Sequence, residues 1–241
     1  MALVPDNKMV LCDFNNNQVK LVDLKSGRLV SSLRLSAQPW DMCAIPGRKV
    51  AVTLPFKDEI QVISTQEQLQ LTTCLKTRLE CKGISYWQDT LIVTFRDGVV
   101  QKMDMRGNVV MEIDNTKAEY ELCPLYVTVD NKGSALYVSD AGEDTITKMD
   151  LTIKEVAKIE NKAIEEPRGM FPLDDHHLLV CSFDSHSVVL VNTETQEVRE
   201  LIGPDQGIRW PYCVSYSAEL GKLYITQVGN YVKVFDMKYS L

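Results

Sequence analysis

The sequence has no long apolar run and no excess of basic residues. No stretch of the 241 residues approaches the ~18–20 apolar residues that a membrane-spanning helix requires. Lysine and arginine number 26 against 33 aspartates and glutamates, and the net charge of −7 argues against a general nucleic-acid or acidic-membrane surface. Met1 to Pro5 are too short for a signal peptide, so we expect a cytoplasmic protein without export or membrane attachment.

What the sequence does contain is a pattern of two short strand-like segments that recurs six times. An apolar triplet is followed nine or ten residues later by an apolar-x-x-apolar phrase that ends in a small polar residue. The triplets begin at Val10, Val50, Leu91, Leu136, Leu178 and Leu223, and the second phrases at Val19, Ile60, Val100, Ile146, Val188 and Val232. A period of roughly 40–45 residues built of short strands is the signature of a β-propeller blade.

A third set of equivalent positions, at the predicted start of the first strand of a blade, supports the same period; we call it the third column. It consists of Pro39, Cys81, Pro124, Pro167 and Pro211, and proline at a strand start removes no ladder hydrogen bond. The sequence therefore predicts an all-β fold, a single six-bladed β-propeller over residues 1–241 with four-stranded blades. The blades are expected near residues 1–35, 39–76, 81–113, 124–160, 167–202 and 211–241.

The last blade is predicted to lack its outer strand. In blade 4 the fourth strand is expected about five residues after Asp150, and the same offset after Asp236 reaches Leu241. We therefore expect a fragment of a longer protein, with residues 231–237 as an exposed edge strand. Such an edge invites pairing with another chain.

The cysteines are predicted to be reduced and structural. The sequence has seven of them, an odd number, and no C-x-x-C pair, which argues against a disulfide framework or a zinc ribbon. Cys12 and Cys181 fall in second strands and Cys43 and Cys213 in first strands, where a free cysteine acts as a small apolar side chain. Reduced thiols are typical of the cytosol.

Two segments carry a family resemblance. Residues 124–133 and 135–150 resemble an NHL repeat, with a proline-opened strand, an apolar-Tyr-Val-x-Asp strand and a third strand ending in aspartate. The Asn-His-Leu triplet that names the family is absent. Residues 222–236 are similar to the C-terminal propellers of tripartite-motif (TRIM) ubiquitin ligases. The resemblance implies the substrate- or partner-binding part of such a ligase, without its RING, B-box and coiled coil.

The positions after the third column are expected to surround one channel mouth. They are Trp40, Lys82, Leu125, Arg168 and Tyr212, and nearby loops add Arg96, Arg209 and Trp210. Aromatic side chains and arginine are enriched at protein interfaces. We name the four strands of a blade A to D in chain order. We therefore predict a non-catalytic module that binds a protein or peptide on the face made by the D-to-A loops between blades and the B-to-C loops within blades. The predicted binding residues are Trp40, Lys82, Arg96, Arg168, Arg209, Trp210 and Tyr212.

Two other functions remain as alternatives. RNA binding is implied by some NHL propellers, with Lys82, Arg96, Arg168 and Arg209 as a local basic patch. A calcium-dependent lactonase-type hydrolase needs carboxylates at the channel. The five residues predicted at the channel mouth include none, since Asp41 lies one residue after Trp40. The three histidines, His176, His177 and His186, are expected in solvated turns, so we predict no catalytic residue, no metal ligand and no cofactor.

Overall fold

The fold is that of an all-β, six-bladed β-propeller, as predicted. The structure, a computed structural model, describes residues 1–113, 124–229 and 231–237. The chain divides into two compact units, residues 1–114 and residues 115–241, each of which contributes three antiparallel sheets. The single domain over residues 1–241 stays a prediction. None of the described residues belongs to a helix with the length and hydrophobicity that a membrane span needs.

The first unit contains three four-stranded sheets, and in each the strands, here named A to D, follow chain order across the sheet. The first sheet is β1 Ala2–Val4, β2 Lys8–Asp13, β3 Gln18–Asp23 and β4 Leu29–Arg34. The second is β5 Met42–Ile45, β6 Lys49–Leu54, β7 Glu59–Ser64 and β8 Gln70–Lys76, with a 3-10 turn at Pro55–Lys57. The third is β9 Cys81–Trp87, β10 Thr90–Phe95, β11 Val100–Asp104 and β12 Val109–Ile113.

The second unit repeats this arrangement. The fourth sheet is β13 Pro124–Val129, β14 Leu136–Asp140, β15 Thr145–Met149 and β16 Glu155–Glu160. The fifth is β17 Pro167–Pro172, β18 His177–Ser182, β19 Ser187–Asn192 and β20 Val198–Ile202, followed by a 3-10 turn at Pro204–Gln206. The sixth is β21 Pro211–Ser217, β22 Lys222–Gln227 and β23 Val232–Asp236. Within the described residues it has three strands, which confirms the predicted short last blade.

The core of each unit lies between successive sheets. The B strands are apolar because both of their faces are covered: Val50, Leu91 and Leu178, which begin three of the triplets, are at most 1% exposed. In each unit the A strands of consecutive sheets lie against each other. Gly169 at this contact has no space for a side chain, because an added Cβ would lie 2.7 Å from the backbone oxygen of Tyr212.

In four of the six sheets the polar residue that closes the second phrase caps the following turn; these residues are Asp23, Asp104, Asp150 and Asn192. The carboxylate of Asp104 accepts hydrogen bonds from the backbone N–H groups of Arg106 and Asn108, both at 2.8 Å. Asp150 accepts from the N–H groups of Thr152 and Lys154 in the same way. These side chains act as the backbone does in a tight turn, which explains why the phrase ends in aspartate or asparagine.

The A strands begin with an irregularity. In sheets three to six the A–B register shifts near the first residues of strand A. In sheets three and four a hydroxyl on strand B, three positions after the start of the triplet, accepts a hydrogen bond from a backbone N–H there. Thr94 accepts from Gly83 at 2.9 Å and Ser139 accepts from Tyr126 at 3.2 Å. The shift leaves a donor outside the ladder, and the hydroxyl satisfies it.

The second sheet shows the same device at a place where strand A was predicted to start earlier. β5 begins at Met42, three residues after Pro39, and not at Trp40. The backbone N–H of Asp41 donates to Oγ1 of Thr53 at 3.0 Å, so it bonds a side chain where a ladder partner was expected.

Candidate functional site

The predicted binding residues belong to two different units. Trp40, Lys82 and Arg96 lie in the first unit. Arg168, Arg209, Trp210 and Tyr212 lie in the second. Each group is therefore described by itself, and the single ring around a channel stays a prediction.

In the first unit the structure brings Trp40 and Lys82 together. The ammonium nitrogen of Lys82 lies 4.0 Å from the centre of the Trp40 ring, a cation–π contact. Phe14, from the B-to-C turn of the first sheet, meets the same ring edge to face at 6.1 Å. The indole of Trp40 is thus covered by a cation on one side and by an aromatic ring on another.

Directly after Trp40 lies a buried carboxyl group. Asp41 accepts a hydrogen bond from the backbone N–H of Ile84 at 3.0 Å. Burial, which disfavours the charged form, raises the pKa of Asp41 from 3.8 to about 6. Thr53 ties the same region together, because its hydroxyl donates to the backbone oxygen of Lys82 at 2.7 Å.

Arg96 is engaged with an acidic neighbour. Its guanidinium donates to both carboxylate oxygens of Glu80, at 3.1 and 3.2 Å. Arg78, on the same side of the third sheet, pairs with Asp97 at 2.6 Å. The positive charges of these loops are therefore compensated locally.

In the second unit Arg168 contacts two aromatic rings, whose centres are 5.2 Å apart. Its guanidinium carbon is 3.5 Å from the centre of the Phe183 ring and 4.7 Å from that of Tyr212. The same guanidinium is paired with Glu166, whose Oε1 accepts from Nε at 3.1 Å. Only 15% of the Arg168 side chain is exposed, so its charge is largely used inside the protein.

The role of Arg168 in partner binding stays a prediction. In the structure its guanidinium contacts Phe183 and Tyr212 and pairs with Glu166. The carboxylate that neutralises it lies two residues earlier on the same segment. Tyr212, by contrast, is 37% exposed and presents its ring to solvent.

Trp210 is held in a defined position by His186. The backbone N–H of Trp210 donates to Nδ1 of His186 at 3.2 Å, and the two rings meet edge to face with centroids 4.7 Å apart. Trp210 has a φ of +47°, a left-handed conformation that is costly for a large side chain. Its side chain is 42% exposed. His186 lies in a B-to-C turn, as expected, is partly exposed, and contacts the indole of Trp210.

Arg209 closes the loop that leads to Trp210. Its guanidinium donates to the backbone oxygens of Pro204 and Ile208, at 3.1 and 2.8 Å. Its own backbone N–H donates to the side chain of Gln227 at 3.1 Å. Arg209 thus fixes the loop while its side chain stays at the surface.

We call the group in the second unit the aromatic patch. It consists of Arg168, Phe183, His186, Trp210 and Tyr212. The sequence identified three of these residues, Arg168, Trp210 and Tyr212, as binding candidates. His186 was assigned to a turn without this contact, because 24 residues separate it from Trp210 and nothing in its own turn marks the contact.

The groups that hydrolases use are held in other roles. Burial raises the pKa of the Cys43, Cys81 and Cys181 thiols, so none of them is a ready thiolate. His177 contacts Asp174 at 2.9 Å, and His176 contacts Glu194 at 2.9 Å. Over the described ranges, no cluster of three or more histidine, cysteine, aspartate or glutamate side chains has the arrangement of a metal site.

Comparisons with known proteins give the fold and no family. No protein-family model and no curated protein sequence matches the chain. Hydrazine synthase of Kuenenia stuttgartiensis is similar in structure with a TM-score of 0.74 at 18% identity, covering 98% of this chain and 75% of that one. Virginiamycin B lyase of Staphylococcus aureus has a TM-score of 0.69 at 14% identity, with 98% and 83% covered.

A third similar structure is the β-propeller domain of Cps50 (Swd1) from Myceliophteria thermophila. Its TM-score is 0.70 at 13% identity, covering 98% of this chain and 82% of that domain. These proteins include two enzymes and one domain named only by its fold. At such identities the likeness establishes the propeller and leaves the function to be argued from the site.

Proposed function

We propose that this protein is a non-catalytic recognition module that binds a partner protein or peptide on the aromatic patch. The observation that carries this proposal is the exposed pair Trp210 and Tyr212, held by His186 and by the Arg168 stack. Large aromatic side chains that are already fixed lose little entropy on binding and bury much apolar area.

The chemistry of the partner follows from what the patch leaves unused. Since Arg168 is neutralised by Glu166, the patch offers apolar ring surface more than positive charge. Arg209 at the surface adds guanidinium donors beside Trp210. The fitting partner is an extended peptide segment with an apolar or proline side chain for the rings and a carboxylate or carbonyl oxygen for Arg209.

RNA fits these features less well. Stacking of bases on Trp210 and Tyr212 is chemically reasonable, but it needs a basic track for the phosphates. Arg96 and Arg168, two of the four predicted basic contacts, are paired with Glu80 and Glu166. The net charge of −7 adds repulsion.

The absence of catalysis is part of the proposal, and local contacts support it. His186 accepts from the Trp210 backbone through Nδ1, and the hydroxyl of its neighbour Ser185 lies 2.9 Å from that of Ser187. A nucleophile and base need a direct hydrogen bond that is in turn oriented by a third group. Asp184, Ser185 and His186 are consecutive in the sequence, but they do not form a Ser-His-Asp catalytic triad.

The larger assignment rests on the resemblance of the sequence. Residues 124–150 and 222–236 are similar to NHL repeats and to the propellers of TRIM ubiquitin ligases. The module would then select substrates or partners for a ligase whose catalytic parts lie outside these 241 residues. Cytoplasmic location belongs to the same proposal.

A peptide-display selection tests the binding function directly. A random peptide library is selected against the intact chain, and the affinity of an enriched peptide is measured by fluorescence anisotropy. We expect Trp210→Ala to weaken binding at least about tenfold, because truncation of a central tryptophan typically costs about 2 kcal/mol or more. Thermal unfolding of the variant should stay close to that of the parent, since Trp210 is exposed.

Two control variants change charge in A-to-B and C-to-D turns, which are outside the proposed face. Lys132→Glu and Glu194→Lys should leave peptide affinity unchanged. If they abolish binding while Trp210→Ala does not, the aromatic patch is not the binding site. A single-stranded RNA that binds more tightly than any selected peptide, with a steep salt dependence, would favour the RNA alternative.

A further inference from the structure

Among the described residues the sixth sheet ends at strand C, whereas each of the other five sheets has a strand D beyond it. β23 pairs with β22 on one side, and it is the last strand of its sheet among residues 124–229 and 231–237. In each of the other five sheets the corresponding C strand lies between strands B and D. An edge strand presents a row of backbone N–H and C=O groups to any strand that approaches.

Side-chain burial shows the same difference. The first apolar residue of strand C is 0% exposed in all five four-stranded sheets: Val19, Ile60, Val100, Ile146 and Val188. Its equivalent in the sixth sheet, Val232, is only partly buried, and Val234 two positions on is 48% exposed. The equivalent of Val234 in the first sheet, Leu21, is fully buried.

The five complete sheets specify what covers this position. In every one, the first apolar residue of strand C is paired with leucine or isoleucine on strand D. The pairs are Val19 with Leu33, Ile60 with Leu75, Val100 with Ile113, Ile146 with Ile159 and Val188 with Ile202. The register is the same each time, so it is a property of the blade and not of one sequence.

The next position allows a charge contact. The residue after the leading apolar residue of strand C faces a side chain that is mostly polar, as in Gln101 opposite Glu112. In the sixth sheet this position is Lys233. Opposite charges on directly paired residues stabilise a strand pair, so an acidic side chain fits there.

We propose that β23 accepts an antiparallel β-strand from another polypeptide, with leucine or isoleucine opposite Val232 and an acidic residue opposite Lys233. The partner motif therefore reads acidic residue followed by leucine or isoleucine, at the C-terminal end of an extended segment. Backbone hydrogen bonds supply much of the affinity and the two side chains supply the register.

A second copy of the same chain does not satisfy this register. If two β23 strands paired antiparallel about Val234, Asp236 would lie opposite Val232. A carboxylate would then face the apolar position that leucine or isoleucine occupies in the five complete sheets. The edge therefore fits a different segment better than its own copy.

The chain itself supplies a probe for the test. A synthetic peptide with the sequence of residues 107–114, which contains β12, carries Glu112 and Ile113 in the required order. Hydrogen–deuterium exchange of the intact chain is followed with and without this peptide. We expect the matched peptide to slow exchange of the amides of residues 232–236 and to leave the aromatic patch unaffected.

Variants of the peptide keep the protein itself unchanged, so folding of the chain is not in question. Ile113→Asp in the peptide should weaken binding at least about tenfold, because it places a carboxylate opposite Val232. Glu112→Lys should weaken it less, since Lys233 is partly exposed to solvent.

Three results would overturn the proposal. Equal binding of the matched peptide and its Ile113→Asp form would show that the register is irrelevant. Full protection of residues 232–236 before any peptide is added would show that the edge is already covered. Protection that depends on protein concentration, together with a dimer in sedimentation, would show that a second copy is the occupant.

Discussion

The backbone N–H of Trp210 donates a hydrogen bond to Nδ1 of His186, 3.2 Å away, and the two rings meet edge to face. The bond uses the lone pair of Nδ1, so the ring proton of the neutral imidazole lies on Nε2. A residue of the fifth sheet thereby fixes the residue that precedes the sixth. The indole is held ready before any partner arrives.

This contact predicts that His186 acts on binding through Trp210. His186→Ala should weaken binding of a selected peptide several-fold, because the indole loses its fixed position. In a Trp210→Ala background the same change should have no further effect, and a double-mutant cycle measures this coupling. His186→Asn, which keeps an acceptor near Nδ1, should retain part of the affinity. Additive losses in the cycle would show that His186 contacts the partner itself.

The Arg168 stack predicts that lysine cannot replace arginine there. Arg168→Lys keeps the charge beside Glu166 but removes the planar group that lies 3.5 Å from the Phe183 ring. We expect the free energy of unfolding to fall by about 1–2 kcal/mol, measured by urea denaturation.

A matched control lies in the other unit. Arg96 also donates two hydrogen bonds to a glutamate, Glu80, but its side chain is 68% exposed. Arg96→Lys should change the free energy of unfolding by less than about 0.5 kcal/mol, since exposed ion pairs contribute little. Equal effects of the two substitutions would mean that the stack of Arg168 with Phe183 and Tyr212 adds no stability.

Asp41 predicts a pH dependence of stability. Its pKa is raised by burial from 3.8 to about 6, so in this interval the folded protein holds a proton that the unfolded chain releases. The stability is fully present below pH 3.8 and is lost as the pH rises through about 6. Asp41→Asn cannot ionise, so its stability relative to the parent should improve by about 2–3 kcal/mol between about pH 4 and about pH 8.

The control for this change is an aspartate whose pKa moves the other way. Hydrogen bonds from Ser26 lower the pKa of Asp23, so its contribution is present above its ordinary pKa and lost as the pH falls. Asp23→Asn should therefore lose stability relative to the parent as the pH rises through the range below the ordinary aspartate pKa of 3.8. Urea denaturation at several pH values measures both trends. Parallel trends in the two variants would contradict the burial of Asp41.

Thr53 predicts a hydroxyl-specific effect on stability. Thr53→Val keeps the shape but removes the group that accepts from Asp41 N–H and donates to the Lys82 oxygen. Removing both of these hydrogen bonds should lower the free energy of unfolding by about 1–3 kcal/mol. Thr53→Ser keeps the hydroxyl and should cost less. A serine variant as unstable as the valine variant would assign the effect to the lost methyl group.

The repeat could be predicted from sequence because burial acts on every blade alike. B strands are covered on both faces, so the triplets at Val50 and Leu91 read as continuous apolar runs. The polar residues that end the second phrases, such as Asp104, can be recognised in the sequence because the turn that follows needs a hydrogen-bond acceptor. The missing fourth strand of the last sheet was predicted from the same spacing, since the interval from strand C to strand D is nearly constant.

The site was less accessible to the sequence because it depends on contacts across blades. His186 and Trp210 meet only after two sheets pack, and neither local pattern indicates it. Arg168 was predicted as a binding residue from its position, but its pairing with Glu166 depends on the side-chain conformation of a short loop. The hydroxyl column at Thr53, Thr94 and Ser139 is a recoverable signal, because it recurs at a fixed offset from the triplets of sheets two to four.

The irregular start of the A strands has a consequence for how such a protein changes over time. Because the register shift separates the opening residues of strand A from the paired remainder, substitutions ahead of it leave the ladder behind it intact. Chemically unlike residues, such as Trp40, Lys82 and Arg168, therefore occupy equivalent places on nearly identical frameworks. Selection can exchange these positions one blade at a time, and a protein engineer can graft them in the same way.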